Sequence, residues 1–209
     1  MSSFSYCSNG KRETRTVLRS DTAKAFELAR EFSDSLLSAS PILRGEVLQN
    51  IGIMRMITEE YDRSIPVFRE ALKLFRELGD SSRTGYVYRN LGLAQSNMGR
   101  PDSALDNYYL SLTYLDSLRS PYYYALTSRG LARTLFSLYT FEYSAQYYRR
   151  AIRLFVLDGR LGEAAEALHE LAYLLVRQDD EYYTTLSEER TAPCRAIRRF
   201  YTGGSDRKR

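Results

Sequence analysis

The stretch NIGIMRMITEEYDRSIPVFREALKLFRELGD, residues 50–80, is followed by the similar stretches NLGLAQSNMGRPDSALDNYYLSLTYLDSLRS, residues 90–120, and GLARTLFSLYTFEYSAQYYRRAIRLFVLDGR, residues 130–160. The three copies align without a gap. A fourth copy begins at Glu170 with ELAYLLVRQDDEYY and then fades. A fixed period of about forty residues is typical of repeat architectures, in which each unit packs on its neighbours.

Small and large residues alternate in matching columns of the copies. The residue after the first apolar position (Ile51, Leu91, Leu131 and Leu171) is small: Gly52, Gly92, Ala132 and Ala172. Further along stand small Ser64, Ala104 and Ser144, aromatic Phe68, Tyr108 and Tyr148, and small Ala71, Ser111 and Ala151. Spacings of three and four predict amphipathic helices, and small residues allow two helices to approach closely. Each copy is therefore predicted to contain two packed helices.

Turn residues divide the copies at the expected places. The first turn of each pair is predicted at Thr58 to Glu60, at Gly99 with Pro101, and at Tyr139 to Thr140. The second helices are predicted to end at Gly79, Arg119 and Gly159, two of which are the glycine preferred at a left-handed C-terminal position. Pro101 and Pro121 suit the first turn of a helix, where a missing N–H is tolerated.

The columns resemble the tetratricopeptide repeat, in the variant with a period of about forty residues found in bacterial regulatory and sensory proteins. The resemblance covers roughly residues 41–185 and is carried by the Leu-Gly or Leu-Ala pair and the later small and aromatic columns. The family's frequent Tyr three residues after the Gly is replaced by Arg55, Gln95 and Leu135, and its Pro after the second helix is missing. The resemblance implies an all-α, right-handed superhelical solenoid of antiparallel helix pairs, without catalytic activity.

The predicted organisation follows from the repeat. Its parts are a disordered N-terminus at 1–10, a degenerate N-terminal capping repeat at 11–40, three repeats at 41–80, 81–120 and 121–160, a degenerate C-terminal repeat at 161–190, and a basic, disordered tail at 191–209. The cap is predicted because the helical pattern of residues 21–38 is out of register with the later copies. The alternative is an ordinary helical bundle with similar stripes, but three copies in phase favour the solenoid.

The resemblance implies that the first helix of each pair, helix A, lines a concave surface. The polar residues there are Gln49, Arg89, Arg129 and His169 in one column, Asn50 and Asn90 beside it, and Asn97 and Arg133 further along. Asn can bind the backbone amides of an extended peptide, and Arg can bind carboxylates in a bidentate manner. The arrangement is similar to the carboxylate clamp of chaperone-binding family members, without its Lys positions. We therefore expect an acidic or C-terminal peptide ligand; the alternative is a set of solvated polar positions.

Charge is concentrated at the C-terminus. The net charge is +4, but Arg195, Arg198, Arg199, Arg207, Lys208 and Arg209 lie in the tail, so the rest of the chain is almost neutral. A nucleic-acid-associated protein that uses this tail as a phosphate-binding arm is the alternative function. Self-association through apolar ends of the stack is a further alternative. The sequence has no signal-peptide pattern and no apolar run of membrane-spanning length, which predicts a cytoplasmic protein without membrane contact. The resemblance to the repeat family implies that the protein is bacterial.

Catalytic and cofactor chemistry finds little support. The sequence has one histidine, two widely separated cysteines, and neither a phosphate-binding glycine loop nor a metal-ligand cluster, so we expect no enzyme activity, no cofactor and no metal. The chain has 18 tyrosines, and packing in the core or between repeats is the favoured interpretation of most of them. Some are expected in the core, and the rest would form an aromatic recognition surface for a protein or peptide partner.

Overall fold

Seven helices follow one another within the described part of the chain. In the computed structural model of the protein, the described residues are Lys24 and 40–179. The helices are α1 Pro41–Ile57, α2 Tyr61–Glu77, α3 Ser81–Asn97, α4 Pro101–Tyr114, α5 Pro121–Ser137, α6 Phe141–Leu157 and α7, which is helical throughout residues 161–179. No residue in these ranges forms a strand. The predicted all-α class is confirmed.

The helices stack as a solenoid of pairs. Each of α1 to α6 packs on the helices next to it in sequence, and the first helices of adjacent pairs also touch, α1 with α3 and α3 with α5. The odd-numbered helices therefore form one layer and the even-numbered helices a second layer. The predicted architecture of antiparallel helix pairs is confirmed, and the first layer carries the predicted binding residues.

The small column of the sequence marks where the two layers touch. A Cβ atom added at Gly52 would lie 2.5 Å from the ring of Phe68, and one added at Gly92 would lie 2.9 Å from the ring of Tyr108. Both rings are buried. The absence of a side chain at these two glycines thus lets a large aromatic residue of the second helix reach the backbone of the first.

Serine residues in the two later small columns are explained by hydrogen bonds across the same contact. The Ser111 hydroxyl donates to the Gly85 carbonyl at 2.8 Å, and the Ser144 hydroxyl donates to the Ala132 carbonyl at 2.7 Å. Both serines are fully buried, so a hydroxyl without a partner would be costly there. These bonds tie α4 to α3 and α6 to α5.

The turns repeat the same backbone geometry. Gly79 and Gly159 end α2 and α6 with φ of 67° and 72°, as predicted for a left-handed C-terminal position. The turns within the pairs use the same region at Glu59, Gly99 and Tyr139, with φ of 63°, 70° and 59°. Only one of these three is glycine, so the repeat imposes this conformation whatever the residue.

One predicted boundary is wrong. We expected the second helix of the middle pair to end at Arg119, but α4 ends at Tyr114 and Leu115 is extended, with ψ of 135°. The Asp116 carboxylate accepts a hydrogen bond from the Leu118 amide at 2.8 Å, an alternative to helical bonding that favours a turn. Leu115 nevertheless stays buried against Gly85.

An ion-pair bridge joins the first two pairs. Asp80 precedes α3 and accepts from the Arg83 amide at 2.9 Å, which caps the helix. The Arg83 guanidinium contacts Asp80 and also Glu46 of α1. Burial raises the pKa of Asp80, but the hydrogen bonds from the Arg83 backbone and side chain outweigh it, so the net pKa of this carboxyl is lowered.

Several sequence predictions lie outside the described residues. These are the disordered N-terminus at 1–10, almost all of the capping repeat at 11–40, the end of the degenerate repeat at 161–190 and the basic tail at 191–209. The proposed phosphate-binding arm belongs to that tail. Of the helices in the described ranges, none combines the length and the apolarity needed to cross a membrane.

Candidate functional site

A groove made of three adjoining hollows runs along the layer of first helices. The first hollow, of about 290 Å³, lies between α1 and α3; the second, of about 450 Å³, between α3 and α5; the third, of about 420 Å³, is formed largely by α5 and α7. Leu93 and Asn97 line both the first and second hollows, and Arg133 lines both the second and third. The shared residues make the hollows one continuous surface, which we call the groove.

The first hollow contains hydrogen-bond donors without partners. Asn90 is 1% exposed, and its Nδ2 is buried with no hydrogen-bond acceptor among the described residues. Its Oδ1 accepts from Nη1 of Arg89 at 2.8 Å, while the Nε of Arg89 is also buried without a partner. The Arg89 guanidinium lies 5.9 Å from the centroid of the Tyr86 ring. Two donors are thus held in place by local contacts at a site that needs acceptor oxygens.

The second hollow has a tyrosine in its wall. Tyr108 extends from α4 between Gly92 and Gly130, and an added Cβ at Gly130 would lie 2.8 Å from the Tyr108 hydroxyl oxygen. Burial raises the pKa of Tyr108 to about 12, although the positive charges of Arg89 and Arg133 act in the opposite direction. The hydroxyl therefore remains protonated at neutral pH.

The third hollow is more aromatic. It is lined by Arg133, His169 and Glu170 together with the rings of Phe136, Tyr148 and Tyr173. Phe136 and Tyr173 contact edge to face, with centroids 5.9 Å apart. Burial and the adjacent Glu170 carboxylate raise the pKa of Tyr148. This end of the groove offers flat apolar surface beside one exposed arginine.

Arg129 is engaged within the chain. Its Nε and Nη2 donate to the two oxygens of Glu170 at 3.1 and 2.7 Å, and its Nη1 donates to Glu166 at 2.8 Å. The hydrogen bonds that Arg129 donates to Glu170 and then to Glu166 raise its pKa despite its partial burial. The arrangement is a bidentate ion pair joining α5 to α7. A ligand carboxylate would have to displace these two acids to reach Arg129.

Five of the eight predicted residues line the groove: Arg89, Asn90, Asn97, Arg133 and His169. The other three do not line any of its hollows. Arg129 pairs with α7, Asn50 is exposed, and Gln49 is half-buried with its Oε1 lacking a hydrogen-bond donor. That Gln49 atom is an acceptor, so it differs chemically from the donors of Arg89 and Asn90.

Sequence reasoning missed the aromatic part of the groove. Tyr86, Phe136 and Tyr173 were not singled out, and neither were the acids Glu166 and Glu170. The signal was present in part, because Tyr86, Glu166 and Tyr173 stand three or four positions from the predicted polar column on the same helices. Phe136 stands three positions after Arg133, and Glu170 directly follows His169. Reading the columns around the predicted polar residues would have found all five.

Among residues 40–179, no group of three or more His, Cys, Asp or Glu side chains could hold a metal ion. The groove instead combines guanidinium and amide donors with aromatic rings. Such a surface suits the non-covalent binding of an extended chain that carries acceptor oxygens.

Comparison with known proteins agrees with this architecture. Residues 43–117 match the family model described as tetratricopeptide repeat. The chain thus has the solenoid of helix pairs that defines a class of repeat proteins, and its residues 43–117 are similar to the tetratricopeptide repeat. The predicted family is confirmed. Members of this family are typically non-catalytic interaction scaffolds.

Solved structures share the fold. BtubC (BKLC) from P. vanneervenii is 24% identical, with a TM-score of 0.65 over 77% of this chain and 66% of that one. The apo form of RapI is 19% identical, with a TM-score of 0.67 over 90% of this chain and 51% of that one. The chain therefore spans about two thirds of BtubC and half of RapI. No curated protein sequence matches it significantly.

Proposed function

We propose that the protein is a non-catalytic interaction scaffold that binds an acidic peptide segment of a partner protein in the groove. The observation that carries the proposal is the pair of buried donors in the first hollow, Asn90 Nδ2 and Arg89 Nε, which have no acceptor within the described residues. A peptide carbonyl or carboxylate oxygen would satisfy them. Leaving such donors buried and unpaired costs about 1–3 kcal/mol each.

Charge supports an acidic ligand. Neither Arg89 nor Arg133 forms an ion pair with a residue in 40–179, whereas Arg129 has two acidic partners. The two unpaired guanidiniums line the first hollow and the junction of the second and third. A peptide lying along the groove would contact both guanidinium groups. The Tyr86 ring in the first hollow and the Phe136 ring in the third would offer it apolar contact.

Binding to a set of acidic peptides, measured by fluorescence anisotropy, tests the proposal. We expect the double variant Arg89→Ala with Arg133→Ala to bind about 100-fold more weakly or worse, since each of the two lost hydrogen bonds to a charged group contributes about 1.5–3 kcal/mol. The matched control is Arg149→Ala with Arg153→Ala, two exposed arginines of α6. Equal affinity of the two double variants would refute the groove assignment.

Asn90 provides a separate test. Asn90→Asp keeps the shape of the side chain but replaces the unpartnered donor with an acceptor. We expect it to weaken the binding of acidic peptides, while Gln146→Glu, an exposed amide-to-acid substitution on α6 outside the groove, has a smaller effect. If Asn90→Asp binds as tightly as the wild type, Asn90 does not contact the ligand.

The proposed role extends to the sensing part of a bacterial regulatory system located in the cytoplasm. Its support is the period of about forty residues, which resembles the variant found in regulatory and sensory proteins. Affinity capture followed by mass spectrometry, with the Arg89 and Arg133 double variant as control, tests this step. The expected result is a regulatory protein that the wild type retains and the double variant loses; capture independent of the groove would argue against it.

A further inference from the structure

Helix α7 presents an apolar stripe to solvent. The stripe consists of Leu161, Ala165, Leu168, Ala172 and Leu175, whose alternating spacings of four and three place them on one side of the helix. The three leucines are 67%, 56% and 40% exposed, and both alanines are exposed as well. None of the other described helices covers this side of α7.

The same positions are buried one repeat earlier. In α5 they are Ala125, Ser128, Ala132 and Leu135, all of them buried. Ala125 packs with Phe155 and Ala132 with Tyr148, so the second helix of that pair covers them with large side chains. The Leu/Ala stripe is therefore a helix-packing surface by construction, and not a solvated face.

The continuation of the chain does not offer matching side chains in register. Forty residues after Tyr148 and Phe155 stand Glu188 and Arg195. A following helix in the register of the repeat would place these two charges over Ala172 and Ala165. Burying an unpaired charge against apolar surface is unfavourable, so a stripe of leucine and alanine favours an equally apolar partner surface.

We propose that the stripe binds the same stripe of a second copy of the chain, in an antiparallel, two-fold symmetric helix pair. The alternation of leucine and alanine is self-complementary, because antiparallel pairing sets Leu168 on Ala172 of the second copy and Leu175 on its Ala165. Alanine permits close approach of the two backbones and leucine fills the space. An interface of this kind is isologous and closes at two subunits.

The dimer is expected to be weak. A single pair of short helices buries less surface than the roughly 1,200 Å² of a small specific interface, which points to a dissociation constant on the order of micromolar or above. Dimer formation must therefore depend on protein concentration. The groove arginines Arg89 and Arg133 lie on other helices and take no part in it.

Light scattering coupled to size-exclusion chromatography, across a wide concentration series of the full chain, tests the proposal. We expect the wild type to shift from monomer to dimer mass, and Leu168→Glu with Leu175→Glu to stay monomeric. The control is Leu118→Glu, at a leucine that is 89% exposed between α4 and α5, and it should dimerise as the wild type does. A wild type that is monomeric throughout, or a double variant that still dimerises, overturns the proposal.

Disulfide trapping tests the register. With Cys7→Ser and Cys194→Ser in place, a mixture of one chain carrying Leu168→Cys and another carrying Ala172→Cys should crosslink efficiently under mild oxidation. Either chain alone should crosslink less, because two equal positions are offset in the antiparallel register. Equal or greater crosslinking of the separate chains overturns the proposed pairing, as does an uncrosslinked mixture.

Discussion

Glycine-to-alanine substitutions around Tyr108 should destabilise the protein, although alanine is the better helix former. Gly92 of α3 and Gly130 of α5 both lie against the Tyr108 ring. An added Cβ at Gly92 would lie 2.9 Å from Cδ1 and 3.0 Å from Cε1; one at Gly130 would lie 2.7 Å from Cζ and 2.8 Å from Cε1. The ring is therefore confined by the backbones of two helices.

The magnitude follows from two opposing effects. Alanine in a helix interior gains about 1 kcal/mol over glycine, whereas overpacking a closed core typically costs about 1–3 kcal/mol. Since Tyr108 is only 2% exposed and lies against the backbones of two helices, we expect overpacking to prevail, with a net loss of about 1–2 kcal/mol for Gly92→Ala or Gly130→Ala.

The matched control is Gly162→Ala in α7. Nothing lies within 4 Å of a Cβ at this position, so the same substitution should stabilise the protein, by about 0.5–1 kcal/mol. Urea unfolding followed by circular dichroism measures all three. Replacing Tyr108 with leucine should reduce the loss at Gly92, because the clashing ring atoms are gone. Stabilisation by Gly92→Ala equal to that by Gly162→Ala would refute the reasoning.

Three further predictions concern stability. Asp80→Ala removes the cap of α3 and the contact with Arg83 and should cost about 1–2 kcal/mol in urea unfolding. Because the folded pKa of Asp80 is lowered, its contribution to stability is present above about pH 4 and lost on further acidification. Asp80→Asn should therefore flatten the acid limb of a stability–pH curve, and an unchanged limb would contradict this. Tyr139→Gly should relieve the left-handed backbone strain, which costs about 1–2 kcal/mol, and this should outweigh the lost edge contact with Phe141. We expect a slightly higher free energy of unfolding in urea, and a lower one would contradict the strain argument. Arg129→Gln should leave Glu170 without its bidentate partner and lower the free energy of unfolding by about 1–3 kcal/mol. Added salt should diminish this difference between variant and wild type. A salt-independent difference would argue against an ion-pair origin.

The fold was predictable because its constraints repeat. Gly52 and Gly92 stand in the same column, and the close approach of Phe68 and Tyr108 explains why that column is small. The end of α4 at Tyr114 was not predictable from the columns, because a local hydrogen bond to Asp116 competes with the helix within one copy only. Comparing the copies thus predicts the packing that all of them share, but not a helix end that is set by a hydrogen bond in one copy only.

The site was predictable only in outline for the same reason. The column position of Arg89 and Arg129 is identical, yet Arg89 lacks an acidic partner among the described residues and Arg129 has two. The difference lies in α7, where Glu166 and Glu170 replace other residues of the repeat. Whether a polar side chain is available to a ligand depends on its neighbours in the next unit, which a single column does not describe.

The packing of each helix on its neighbours in sequence also has a kinetic consequence. The helices α1 to α6 contact near neighbours in the series, so their contacts form without the closure of a long loop. Folding can therefore start in any pair and spread to the next. The α3–α4 pair is flanked on both sides and should be the last to open, while α7 should exchange its amide hydrogens early. Native-state hydrogen exchange would then show protection that decreases from the middle of the array towards its C-terminal end, even though every pair is built on the same plan.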